Sequence, residues 1–158
     1  NAMHTKVPIS MEQVLHPEKY DSFEVPTEFT MPPFSTLEAA GFEEVAEDTL
    51  GELEMSVYFG QPNDGTDKVA AAGWNGDRLR VYRHPERGPA AVWYTDWDSE
   101  QDAQEAERAA KTIAKAATDP NEHEVLRRGS RLLILRGLSE NDRVEVRQSW
   151  LDSTTPSP

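Results

Sequence analysis

Two strand-like runs followed at once by an alanine-rich helix constrain the fold of this chain more than any other feature. Residues 78–83 alternate polar and apolar side chains, which is the period of a half-buried strand. Residues 90–97 are rich in aromatic and β-branched residues. Two prolines and a glycine interrupt the pattern at residues 84–89, so we predict an antiparallel hairpin with one buried face. Alternation places three side chains together on that face: Trp93, Thr95 and Trp97.

The residues on either side of this hairpin predict a turn and a helix. Gly73 and Gly76 can adopt positive φ, and the Asn and Asp beside them tolerate it, so residues 73–77 predict a tight turn. After the hairpin, Asp98 or Ser99 can cap a helix whose first turn is acidic. Its apolar stripe is made almost entirely of small residues: Ala103, Ala106, Ala110, Ile113, Ala114 and Ala117.

Weaker patterns predict the remaining elements. Further helices are predicted at residues 10–16, 68–72 and 139–151, the last with Val144, Arg147 and Leu151 along one side. Further strands are predicted at residues 41–47, 122–126 and 131–135. For residues 50–59, with Thr49 as the N-cap, helical spacing is favoured, and a strand stays open as the alternative.

These elements together predict an α+β fold. We expect an antiparallel sheet of four or more strands, helices packed mainly on one face, and an extended N-terminal arm. Prolines in the segment that ends at Pro33 favour an extended chain, with an edge strand possible in it. We divide the chain into an expression-tag remnant and arm, a single α+β domain and a disordered tail, at residues 1–33, 34–152 and 153–158.

Composition excludes several classes of protein. The chain has no cysteine, which excludes disulfides, thiol nucleophiles and cysteine-based metal centres in these residues. No apolar run approaches the roughly 20 residues that span a bilayer, so no membrane insertion is expected. The net charge of −13 is concentrated in residues 1–67, which hold 14 acidic and 2 basic residues. Such a surface repels nucleic acid.

No catalytic residue, cofactor site or metal site is predicted. The four histidines are scattered without ligand-spaced partners, and the oxygen-rich run at residues 63–67 lacks the spacing of a calcium loop. The one candidate ligand or partner surface combines the glycine-rich segment with aromatic residues of the hairpin. Its members are Trp74, Asn75, Asp77, Arg78, Trp93 and Trp97.

Four ordered landmarks resemble an uncharacterised bacterial family of lipoproteins or secreted proteins. The landmarks are His-Pro-Glu-Lys-Tyr from residue 16, Glu-Asp-Thr-Leu-Gly-Glu from residue 47, Ala-Ala-Gly-Trp-Asn-Gly-Asp-Arg from residue 71, and the stretch from Val92-Trp93 through Trp97-Asp98-Ser99-Glu100. The family usually has glycine where this chain has Asn75. In that family a similar segment follows a larger domain related to zinc metallopeptidases. The resemblance implies a carboxy-terminal portion of an exported or lipid-anchored protein, with any metal ligands upstream.

Two functional hypotheses follow. The first is a non-catalytic interaction or stabilising domain, whose partner is an upstream peptidase-like domain or another protein. The second is a small-ligand-binding or hydrolytic domain with a cleft near Trp74, Asp77, Arg78 and Trp97.

Overall fold

The computed structural model describes residues 7–60, 67–119 and 122–154. In these residues five strands form one antiparallel sheet in the order β1-β2-β3-β5-β4. This sheet and the helices around it confirm the predicted α+β class. The predicted tag remnant, most of the oxygen-rich run at residues 63–67 and residues 155–158 of the predicted tail lie outside the described residues. The strands are β1 (Glu43–Asp48), β2 (Trp74–His84), β3 (Gly88–Trp97), β4 (His123–Arg128) and β5 (Arg131–Arg136).

Helices cover both faces of this sheet. On the first face lie α4 (Glu52–Phe59), α5 (Asp67–Ala71) and α6 (Glu100–Ala116). On the second face lie α3 (Ser35–Ala39), α7 (Glu140–Ser153) and part of the N-terminal arm. Most of these helical residues, those of α4 to α6, lie on the first face, as predicted, while α3 and α7 lie on the second.

The interior strands explain why both faces are covered. In β3, Trp93 and Trp97 point into the core of the first face, while Val92 and Tyr94 point into the core of the second face. In β5 consecutive leucines and an isoleucine divide between the two cores in the same way. A strand that is apolar on both sides must be buried on both sides. The hairpin therefore has two buried faces at β3, not the single one predicted.

Two helix starts illustrate how local chemistry sets the boundaries. The Ser99 hydroxyl accepts a hydrogen bond from the backbone N–H of Asp102 at 3.2 Å, which confirms the serine as the cap of α6. Residues 52–59 are helical, which settles the open choice between helix and strand. The N-cap of α4 is Gly51, with φ of 87°, and not Thr49 as predicted.

The final helix buries a different stripe from the predicted one. Val146 and Trp150 of α7 are buried in the second core. The predicted Val144 and Leu151 are exposed by 59% and 37%. The inward residues are four apart, so the helical period holds and only its phase was wrong.

The N-terminal arm begins with two short helices and continues without regular secondary structure. The helices are α1 (Met11–Leu15), capped by Ser10, and α2 (Pro17–Ser22). Pro17 begins α2 because the first helical position needs no N–H donor. Residues 24–33 contain no helix and no strand, so the edge strand does not form there.

Polar contacts fix the arm to the domain, in agreement with a docked arm. His16 Nε2 lies 2.9 Å from Glu52 Oε1 at the start of α4. Lys19 contacts buried Glu12 at 2.5 Å and also pairs with Asp98. Asp98 therefore holds the arm and does not cap α6. Burial raises the pKa of the Glu12 carboxyl, which the lysine opposes.

The His16–Glu52 contact predicts a pH-dependent contribution to stability. The hydrogen bond to Glu52 raises the pKa of His16, with Glu18 and Glu12 adding to the effect. A raised folded-state pKa gives stability that is present below the unfolded value of about 6.5 and is lost as pH rises through the folded value. We expect His16→Gln to destabilise the protein more at about pH 5.5 than at about pH 9.

Urea unfolding at the two pH values measures this difference. In a Glu52→Gln background the effect of His16→Gln should lose most of its pH dependence. A wild-type-to-variant difference that is constant or grows with pH would contradict the assignment.

Candidate functional site

The six candidate residues are separated by the sheet. Four of them are buried on the first face: Trp74, Asp77, Trp93 and Trp97. Arg78 is opposite Tyr94 on the second face, where its Nε donates to Glu47 Oε1 at 2.6 Å. Asn75 lies at an irregularity of β2. The structure thus joins the tryptophans and Asp77 in one cluster and leaves Arg78 and Asn75 outside it.

A β-bulge at Asn75 replaces the predicted tight turn. Trp74 pairs with Trp97 and Gly76 pairs with Asp96, so Asn75 is an extra residue in β2. Gly73 has the expected positive φ of 77°, but the strand begins directly after it. An extra residue reverses the alternation of side chains. Trp74 and Asp77 therefore lie on the same face although they are three residues apart.

The Asp77 carboxylate is buried and accepts four hydrogen bonds. Oδ1 accepts from the backbone N–H of Gly51 at 2.9 Å and from the indole of Trp74 at 3.0 Å. Oδ2 accepts from the backbone N–H of Leu50 at 3.0 Å and from the indole of Trp93 at 2.9 Å. A carboxylate has about four lone-pair sites, so this one is saturated.

These four bonds hold three elements together. They fix the chain just before α4, the bulged start of β2 and the middle of β3 around one charged group. The Thr49 hydroxyl strengthens the same junction by donating to the Asp77 carbonyl at 3.1 Å. Hydrogen bonds to a charged group are stronger than neutral ones. We call this arrangement of Asp77 and its four donors the Asp77 hub.

The aromatic residues next to the hub form a closed core. The Trp97 indole donates to the Thr95 hydroxyl at 2.9 Å, and both residues are buried. Phe59 of α4 packs against Trp97, and Tyr58 packs edge-on against Trp93. Small residues of α6 allow the helix to lie close to these rings. The three candidate tryptophans thus serve as core residues.

A groove of about 700 Å³ opens beside the hub. The arm forms one wall with residues 9–11 and 25–29, and the domain forms the other with residues 49–51, 74 and 76–78. Of the six candidates, Trp74, Asp77 and Arg78 line it. Trp93 and Trp97 do not.

Arg78, the basic side chain among those that line the groove, is already paired with a carboxylate. Arg78 and Arg80 both donate to Glu47 of β1, at 2.6 and 2.9 Å through their Nε atoms. Burial acts to raise the pKa of Glu47, but these arginine contacts outweigh it and the pKa is lowered overall. A ligand of the groove would thus meet a neutralised ion pair instead of an uncompensated charge.

The arm contacts the bulge at a point that the sequence prediction missed. The backbone N–H of Thr27 donates to the Asn75 carbonyl at 2.6 Å, and its hydroxyl donates to Asp96 at 2.8 Å. Asp96 also accepts from the Ser130 hydroxyl at 2.7 Å. A Cβ on Gly76 would lie 2.3 Å from the Thr27 carbonyl oxygen. A glycine inside a strand is a sign of close backbone approach, and this signal was present in the sequence.

The described residues contain neither a metal-binding group nor a membrane-spanning helix. Among residues 7–60, 67–119 and 122–154, no group of three or more histidine or acidic side chains is placed to hold a metal ion. In the same ranges no helix has the length and apolarity needed to cross a membrane.

A family model matches residues 37–151, which is most of the chain. Its description is a domain of unknown function, DUF8575. The chain belongs to this family. The DUF8575 region contains the sheet, α4 to α6, most of α7 and the Asp77 hub, whereas α1, α2 and residues 24–33 of the arm lie before it. No curated protein and no solved structure matches the chain.

The hub predicts a large loss of stability in Asp77→Asn. The amide has one acceptor oxygen and presents N–H groups to donors, so about two of the four donors lose their partner. Each buried unsatisfied donor costs about 1–3 kcal/mol, so two donors give a loss of about 2–6 kcal/mol. Denaturant unfolding monitored by tryptophan fluorescence measures it.

Asp21→Asn is the matched control, because it makes the same change at an exposed position. We expect it to remain within about 0.5 kcal/mol of the wild type. If Asp77→Asn were equally mild, the hub would not be a structural element.

Proposed function

We propose that this chain is a non-catalytic interaction or stabilising domain of an exported bacterial protein. Its partner is an upstream peptidase-like domain, as the resemblance implies. The observation that carries the proposal is the saturation of Asp77. The most conspicuous ionisable group of the candidate cluster is engaged by four protein donors, so its use is structural.

Apolar side chains exposed on two adjacent helices support a docking role. α1 and α4 are in contact. On α4, Val57 is exposed by 69% and Leu53 by 42%, although both lie in a helix whose other side is buried in the core. Exposed apolar groups on neighbouring elements are typical of interaction sites. The exposed apolar residues of the two helices, which we call the α1–α4 face, are Met11, Val14, Leu15, Leu53 and Val57.

The net charge around the α1–α4 face indicates which kind of partner surface it would bind. The net charge of residues 1–67 is −12, and both helices of the α1–α4 face lie in this part of the chain. A net negative charge in this part of the chain favours a partner surface that carries basic residues. It disfavours nucleic acid and anionic lipid.

The groove favours a second candidate function, small-ligand binding. Its volume of about 700 Å³ is in the range of ligand pockets, and it lies near the predicted cleft. A hydrolytic role for Asp77 has less support, because both carboxylate oxygens already accept two hydrogen bonds. A ligand that binds through the Arg78 guanidinium would have to replace Glu47 as its partner. Loss of ligand binding in Arg78→Ala with unchanged stability would favour this candidate.

The docking proposal predicts that Val57→Glu uncouples the domain from its upstream neighbour. We expect the free energy of unfolding of this chain alone to stay within about 0.5 kcal/mol of the wild type, since the side chain is exposed. In the longer protein that includes the upstream region, the melting temperature of the domain should fall.

Val45→Glu provides a matched control. Val45 is also exposed, by 49%, but lies on the edge strand β1 away from the α1–α4 face. Hydrogen exchange should show protection of α1 and α4 in the longer protein, and Val57→Glu alone should remove it. Equal behaviour of the two variants would count against docking through this face.

A further inference from the structure

We propose that the second face of the sheet carries a binding site for an extended peptide, and that the chain's own residues 27–32 occupy it. The ligand class is a segment with the pattern Thr-x-Phe-x-Met-Pro, presented by a partner protein that displaces the arm. The inference goes beyond the proposed function, because it concerns the second face and not the α1–α4 face. Either one can fail without the other.

In residues 27–32 buried or partly buried side chains alternate with exposed ones, as they do in a strand bound to a protein surface. Thr27 and Phe29 are partly buried and Met31 is buried, whereas Glu28 and Thr30 between them are exposed. A segment bound in extended form presents alternate side chains to the protein. The face that recognises it, which we call the arm seat, consists of Asn75, Gly76, Arg80, Tyr94, Asp96 and Arg131.

The arm seat recognises backbone at both ends of the segment. At one end the Asn75 carbonyl, which the bulge displaces from the regular ladder, accepts from the Thr27 N–H at 2.6 Å. At the other end the buried guanidinium of Arg80 donates to the carbonyl of Met31 at 3.0 Å and to that of Pro32 at 2.8 Å. Main-chain contacts of this kind provide affinity for extended peptides.

Side-chain contacts provide the specificity. The Thr27 hydroxyl donates to Asp96 at 2.8 Å. The Phe29 ring packs edge-on against Tyr94, with a centroid distance of 6.1 Å, and the Arg131 guanidinium lies 5.6 Å from the ring centroid. Aromatic anchors with an arginine stacked on them commonly dominate the energy of an interface.

The residues that the family model matches include the arm seat but not residues 27–32, which occupy it. All residues of the arm seat lie within residues 37–151, which the family model matches, and residues 27–32 lie outside. The match thus covers the recognition surface and begins after the segment that occupies it.

The attached arm competes with any peptide added in trans. A tethered segment has an effective concentration of the order of mM, so binding to the wild-type chain is masked. The test therefore weakens the arm in the full chain by Phe29→Ala. The probe is a fluorescein-labelled peptide with the sequence of residues 24–33, and the control peptide has alanine at the phenylalanine position.

We expect saturable binding of the probe to the Phe29→Ala chain by fluorescence anisotropy. The control peptide should bind roughly tenfold more weakly or worse, because it lacks the aromatic anchor. Absence of saturable binding, or equal affinity for the two peptides, would overturn the proposal. If the near-UV spectrum shows that Phe29→Ala is not folded, Thr27→Ala takes its place under the same criteria.

A pair of glycine substitutions locates the binding. In the Phe29→Ala background, Gly76→Ala should abolish binding, since its Cβ would overlap the peptide backbone. Gly88→Ala should retain binding, because Gly88 also has positive φ, 82°, but has no heavy atom within 4 Å of the added Cβ. Equal binding by both variants would overturn the assignment to the arm seat.

Light scattering measures the oligomeric state of the Phe29→Ala chain, which should be a monomer. A dimer that excludes the probe would instead indicate exchange of arms between two copies.

Discussion

The hydrogen bonds to the Asp77 carboxylate are the interaction on which the rest of this structure depends. A buried charge is stable only when donors surround it, and here two backbone amides and two indoles do so. The donors come from three separate segments of the chain. Their convergence fixes where α4 begins, how β2 enters the sheet and how the tryptophans are oriented in the first core.

The bulge at Asn75 connects this hub to the second face of the sheet. By adding one residue it turns Trp74 toward Asp77, and it also frees the Asn75 carbonyl to bind the arm. Gly76 next to it lets the arm backbone approach more closely than any side chain would allow. One local irregularity thus organises a structural cluster on one face and a recognition surface on the other, which is a common role of bulges near functional sites.

The sequence predicted regular elements well because their patterns are local. The hairpin, the small-residue stripe of α6 and the Ser99 cap follow from periodicity and side-chain chemistry. The bulge could not be predicted, because Gly-Trp-Asn-Gly-Asp fits a turn equally well and only pairing with β3 decides between them. The capping of the α4 entry by Asp77, and the pairing of Thr27 with Asp96, depend on residues 26 to 69 positions apart. A periodic pattern within one helix or strand gives no information on contacts between residues so far apart in the sequence.

The most direct measurement of the central claim is hydrogen exchange at the four donors of the hub, followed by NMR. The backbone amides of Leu50 and Gly51 and the indoles of Trp74 and Trp93 should exchange only through global unfolding, with one common free energy. Fast exchange of these four protons in the folded protein, at rates typical of exposed loops, would show that Asp77 does not hold these elements together.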